Sequence, residues 1–200
     1  MVVELRDASG LGERFSQCTF DNWEEVKGTE EAVRRCMDFA RTYKAAVPGV
    51  QTVGDGKGLI LTGGAGSGKS HLAAAVLNVL LGRGVECRFV SVPVLMAQIR
   101  RRFEGKGDDE GDPIEPLLTA EVLVLDDAGA EKSSEWTQER IYEVVDTRYR
   151  RLRSTILTTN LPPAELEKAI GSRSMDRLLQ TCKLVKLNAA SYRRRVADGH

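Results

Sequence analysis

Apolar residues follow two alternating rhythms along this chain. Short apolar runs, bounded by glycine or polar clusters, occupy residues 58–62, 85–92, 121–125, 154–158 and 183–188. Each reads as a strand. Between them, apolar positions recur three and four apart, the spacing of one helix face.

Thr29 can cap a helix whose first turn carries Glu30 and Glu31, which suit the positive end of a helix dipole. Val33, Cys36, Met37, Ala40, Tyr43 and Val47 then recur at helical spacing until Pro48-Gly49 stops the helix. Residues 71–81 are apolar nearly all round, which predicts a buried helix. Pro93 opens a helix with Leu95, Met96, Ile99 and Phe103 inward. Residues 135–151 form another, with Ile141, Val144, Val145 and Leu152 inward, and short helices follow at 163–170 and 174–181. Glycine-rich residues 54–58 read as a turn, and the polar stretch 105–113 as a flexible loop.

Continuously apolar strands alternating with helices predict an α/β fold: a five-stranded parallel sheet with helices on both faces. Residues 1–28 lack a clear period and are expected as a partly extended lead-in to a domain spanning residues 29–200. Two hundred residues suffice for one domain with a real core.

Composition narrows the function. Basic and acidic residues number 29 each, so no global charge draws the chain to nucleic acid or membrane. Any nucleic-acid contact must come from a local patch. No apolar stretch is long enough to cross a bilayer. Cys18, Cys36, Cys87 and Cys182 lack zinc-ligand or redox spacing, so reduced thiols and a cytoplasmic location are expected.

Four elements carry chemistry. Gly63-Gly64-Ala65-Gly66-Ser67-Gly68-Lys69-Ser70 fits the G-x-x-x-x-G-K-[ST] phosphate-binding loop in full, with a strand before it and a helix, through His71, after it. Glycines let main-chain N–H groups wrap a phosphate, and the helix N-terminus favours the same anion. Lys69 can reach the β- and γ-phosphates of ATP, and the Ser70 hydroxyl can ligate magnesium. Next, Val122-Leu123-Val124-Leu125 runs into Asp126 and Asp127 at a strand's carboxyl end. Ligands of open α/β sheets bind at that edge. Asp126 suits a magnesium contact and Asp127 can polarise an attacking water. Thr158-Thr159-Asn160 ends the fourth strand, where a neutral amide can orient water; ordinary turn chemistry before Pro162-Pro163 is the competing reading. Last come Arg173 and Arg177, four apart, and Arg193, Arg194 and Arg195 after the final strand. An arginine can stabilise a transferring phosphoryl group, in cis or from a neighbouring subunit, though most surface arginines are only solvated.

In this order the motifs resemble an AAA+ ATPase, and more closely the DnaC/DnaI helicase-loader and IstB transposition-helper group. The telling stretch is Leu125-Asp126-Asp127-Ala128-Gly129-Ala130-Glu131-Lys132, with Trp136, Arg140, Tyr142 and Arg148-Tyr149-Arg150. Thr158-Thr159-Asn160-Leu161-Pro162, Ser191-Tyr192-Arg193, Arg14-Phe15 and Thr19-Phe20-Asp21-Asn22-Trp23 add to it. The resemblance runs over roughly residues 14–196 and is more specific than the phosphate loop alone.

The resemblance implies an AAA+ core with a small or absent C-terminal lid. It implies roles for Asn160 as sensor 1, Arg177 as an arginine finger entering a neighbour's site, and Arg193 as the sensor 2 arginine. It also implies an ATP-dependent homo-oligomer around single-stranded DNA, acting with a replicative helicase. The segment from Phe89 to Phe103 is then the candidate DNA element, through Ser91, Arg100, Arg101, Arg102 and Phe103. Fewer than thirty residues precede the first expected helix, too few for the separate helicase-gripping domain of typical loaders. Asp127 stands where many AAA+ proteins have Glu, which predicts slow hydrolysis stimulated by assembly or DNA. An IstB-like transposition helper acting on duplex DNA, a small-molecule kinase and a nucleotide-binding scaffold are the alternatives.

Overall fold

The computed structural model describes residues 2–44, 57–105, 111–189 and 191–192. Five strands form one sheet: β1 (Gly58–Gly63), β2 (Cys87–Ser91), β3 (Val122–Asp126), β4 (Ser154–Thr159) and β5 (Cys182–Leu187). All pairs are parallel, in the order β2-β3-β4-β1-β5.

Successive strand residues point to opposite faces. Leu59 and Leu61 of β1, Val122 and Val124 of β3, and Ile156 of β4 join one core layer. Ile60, Leu123, Leu125 and Leu157 join the other. Both faces of the central strands β1, β3 and β4 are covered, so their middle positions are apolar, whereas the edge strand β5 leaves Lys183, Leu184 and Lys186 exposed. The first layer is closed by α1 (Val2–Ala8), α2 (Gly12–Ser16), α3 (Glu30–Thr42) and α4 (Lys69–Gly82). The second is closed by α5 (Val92–Phe103), α6 (Glu115–Thr119), α7 (Glu135–Arg150), α8 (Pro163–Ile170) and α9 (Ser172–Thr181). Helix α4 is apolar all round because the sheet lies on one side and α1, α2 and α3 on the other.

Several expectations need correction. The lead-in is not simply extended: it folds as α1 and α2, followed by turns and irregular chain to Gly28. Helices this short show no period, and packing holds them. Phe15 stacks on Phe89 with ring centroids 4.9 Å apart, and the Ser9 carbonyl accepts from Phe89 N–H at 2.7 Å. The lead-in thereby covers β2, an edge strand. Helix α3 ends at Thr42, and Tyr43 already turns to an extended ψ of 123°. Its buried face is Ala32, Cys36 and Ala40, while Met37 is exposed. Val47, Pro48-Gly49 and the turn at 54–56 lie outside the described residues. Phe103 is not inward: at the last turn of α5 it meets the Trp136 ring rather than the core, and it is 70% exposed. Leu152 is also exposed, because it follows α7 in a left-handed turn with φ 52°. Helix α6 was not foreseen; its five residues bury Leu117 beside Ile114.

The amino end of the sheet is tied by Arg148, which is 0% exposed. Its guanidinium donates to the carbonyls of Leu117, Ala120, Glu121 and Ser154 and to the Thr155 hydroxyl. These groups come from α6, the start of β3 and the start of β4. Among the described residues none of its hydrogen-bond partners is a carboxylate. Burial pulls its pKa down to about 9. No helix among the described residues is long and apolar enough to cross a membrane.

Candidate functional site

The site is assembled at the opposite, carboxyl edge. Strand β1 lies between β4 and β5, and β3 lies beside β4. Residues that end β1, β3 and β4 are therefore neighbours although they are far apart in sequence.

The loop after β1 bends tightly into α4. Gly68, the N-cap of α4, has φ 96°, and a Cβ there would lie 2.3 Å from the Trp23 ring. Gly66 has φ 77°, and a Cβ there would lie 2.3 Å from the Ser191 hydroxyl. No other residue fits either place without strain. The loop is braced from both chain ends: Tyr192 N–H donates to the Gly66 carbonyl at 2.9 Å, and Tyr192 hydroxyl donates to Glu24 at 2.8 Å. His71, in the first turn of α4, bonds the Thr19 carbonyl through Nε2 at 2.9 Å and meets Trp23 edge-on.

Lys69 is only 4% exposed. Its ammonium donates to the Gly63 and Gly64 carbonyls, each at 2.9 Å, and to Asn160 Oδ1 at 2.7 Å. Asn160 is exposed just past β4, so the lysine and the amide meet across two strand ends.

Asp126 ends β3 and is buried. Thr158 of β4 donates to its Oδ1 at 2.6 Å, and Ser70 also hydrogen-bonds the carboxylate. Burial raises the Asp126 pKa; the two hydroxyls draw it partway back. Asp127 adopts a left-handed φ of 56°, uncommon for a residue with a Cβ, and its N–H donates to Thr158 Oγ1 at 3.0 Å. Thr158 thus fixes both acids, and Thr159 adds a bond to the Ala128 carbonyl at 2.7 Å.

This donor set fits a magnesium–triphosphate. Two hard oxygen ligands, the Ser70 hydroxyl and the Asp126 carboxylate, lie side by side at the loop. Magnesium needs no more from a protein, since it keeps waters and takes phosphate oxygens. The loop's positive-φ glycines clear the space in which main-chain N–H groups can face an anion.

The other candidates lie apart. Arg177 of α9 bonds Asp146 of α7 at 3.1 Å and stacks over Tyr149. No described contact joins it to the phosphate loop. Arg173 is exposed on the same helix. Arg193, Arg194 and Arg195 lie outside the described residues. Ser91 is half-buried at the end of β2, in register with Asp126. Arg100 lies over the Trp136 ring at 5.3 Å, and Phe103 meets that ring edge-on at 6.2 Å. Arg101 is exposed, and Arg102 bonds the Gly111 carbonyl. Sequence reasoning did not connect Trp136 to this patch, nor Trp23 to Gly68. Two lone aromatics beside polar residues were the only signal available.

The strand order and the loop on β1 define the class: this is a P-loop ATPase of the AAA+ type, the fold of its solved neighbours. The chain spans 88% of itself and 100% of a DnaC helicase-loader crystal structure, with TM-score 0.75 and 26% identity. A DnaI structure matches in fold with TM-score 0.72 and 23% identity, over 89% of this chain and 92% of that one. More particularly, the chain belongs to the family of IstB-like ATP binding proteins, whose model matches residues 36–198. It is homologous to the replicative helicase loader DnaC of Escherichia coli (strain K12), 30% identical over 94% of this chain and 74% of the relative.

Proposed function

We propose that this protein is an ATP-switched accessory of DNA replication, a helicase loader that assembles on single-stranded DNA and hydrolyses ATP slowly. The observation that carries the ATP part is the meeting of Lys69 and Asn160 at 2.7 Å beside the Asp126–Thr158 pair. The kinship with DnaC supports the helicase partner.

In this reading the loop amides from Gly63 to Ser70, with the first turn through His71, bind the phosphates, and Lys69 meets the β- and γ-phosphates. Ser70 and Asp126 would hold magnesium, which supplies positive charge where negative charge develops. Asp127 accepts a hydrogen bond from the attacking water, and the Asn160 amide orients that water without adding charge. Arg177 completes the site of a second copy, and Arg193 contacts the γ-phosphate in its own chain. Asp127 is one methylene shorter than Glu and sits on a turned backbone, so its reach is short and turnover slow.

Single-stranded DNA meets the Arg100–Trp136–Phe103 group, with Arg101, Arg102 and Ser91 nearby. An exposed phenylalanine, a half-buried tryptophan and exposed arginines suit base stacking plus phosphate attraction. The test is a mass measurement with a non-hydrolysable ATP analogue, with and without single-stranded DNA. Assembly only with nucleotide, extended by DNA, supports the proposal. A monomer under every condition removes the arginine in trans.

The family model that spans residues 36–198 also favours a second reading, an IstB-like helper working with a transposase on duplex DNA. Capture with purified helicase against purified transposase separates the two.

A further inference from the structure

Arg177 is held in a specific way. Its Nε donates to Asp146 Oδ1 at 3.1 Å, while Arg150 Nε takes the other carboxylate oxygen at 2.7 Å. With one oxygen each, neither arginine binds Asp146 through a two-nitrogen fork. The Arg177 guanidinium carbon lies 4.5 Å from the Tyr149 ring centroid, so one face of the cation is covered as well. Tyr149 is itself anchored, its hydroxyl donating to Gln180 Oε1 at 2.8 Å, one turn beyond Arg177 on α9. A guanidinium carries five donors. Among the described residues Arg177 uses only the Nε donor, and the side chain is 34% exposed.

We propose that Asp146 and Tyr149 are positioning residues: they fix the plane of Arg177 and leave its terminal nitrogens to bond a phosphate held by a second copy of this chain. This rests on Arg177 being the arginine that crosses between subunits. A guanidinium parked against its own chain would give its fork to the carboxylate. Here the fork is spared, and the contacts are those that set orientation. Arg177 is partly exposed while Asp146 is buried, so the pair holds the cation from one side and leaves the other open. Its value lies in sparing a long side chain the entropy of ordering when the subunits meet.

The experiment measures ATP turnover of the full chain, assembled on single-stranded DNA, together with nucleotide affinity and thermal unfolding. Arg177→Ala should lower kcat at least about 100-fold. Asp146→Ser and Tyr149→Leu should each lower kcat about 10-fold, with KM within about twofold, because an interaction made only in the transition state is lost. Tyr149→Phe keeps the ring face and should retain most activity. In the Arg177→Ala background, Asp146→Ser should cost nothing further. If Asp146→Ser unfolds, the Tyr149 pair carries the same test. Full turnover in Asp146→Ser and Tyr149→Leu, with Arg177→Ala inactive, overturns the positioning inference alone. An additional loss in the Arg177→Ala background overturns it too, since Asp146 would then act elsewhere. An active Arg177→Ala overturns the underlying assignment of the arginine in trans.

Discussion

Two cations are buried at opposite ends of one sheet, and their surroundings differ. Arg148, at the amino end, donates to four carbonyls and a threonine hydroxyl. Lys69, at the carboxyl end, donates to two carbonyls and to the amide of an exposed residue, Asn160. Around Arg148 the partners come from helix α6 and the starts of β3 and β4, and the ion is wholly enclosed. Around Lys69 lie a buried carboxylate with a raised pKa, a non-glycine residue at positive φ and a tightly turned glycine loop. Raised pKa values and strained backbone gather where chemistry is done. One buried cation closes the fold; the other opens onto a surface where a ligand can compete for it.

Substitutions at the two ends should therefore separate stability from function. The largest effect is expected for Arg148→Met, which leaves several buried carbonyls without donors. It should cost at least about 3 kcal/mol in urea unfolding, or prevent accumulation of folded protein. Retained stability would mean that the tie is ornamental.

Asp126→Asn should do the reverse. The raised pKa means the folded state holds this proton more tightly than the unfolded chain does. That contribution is complete below the unfolded value of about 3.9 and is lost as pH rises through the folded value. At neutral pH the charged group is a burden, and the amide should stabilise the protein. Turnover should fall about 100-fold, and the rise in stability from acid to neutral pH should be steeper in the variant than in the parent. Identical pH–stability curves would contradict this.

Asn160→Ala should lower turnover about 10-fold and leave stability within about 0.5 kcal/mol, since the residue is exposed. The smallest effect concerns the thiols. Burial pushes Cys36 and Cys182 up to about 12 and raises Cys87 further, whereas Cys18 is only half-buried. A thiol reagent should label Cys18 first, with little change in nucleotide affinity; rapid labelling of all four would refute the packing described.

The sheet was legible because its central strands are buried on both faces and so read as short apolar runs. The loop from Gly63 to Ser70 was legible because phosphate wrapping needs glycine at fixed places. The ladder register brings Thr158 beside Asp126, and periodicity cannot report which strands are neighbours. Arg148 was quoted only as part of a resemblance, because nothing local distinguishes a buried arginine from a solvated one. Phe103 was misplaced because helical spacing says which face a residue occupies, not whether the core still reaches the last turn. Helices α1, α2 and α6 escaped because one or two turns show no period.

The most direct test of the carboxyl-edge site is a titration of a fluorescent ATP analogue, with magnesium, into the parent protein and Lys69→Ala. Saturable binding to one site per chain is expected, weakened at least about 100-fold in the variant, roughly 2.7 kcal/mol, with the unfolding midpoint little changed. No saturable binding by the parent, or equal binding by both proteins, would contradict the account.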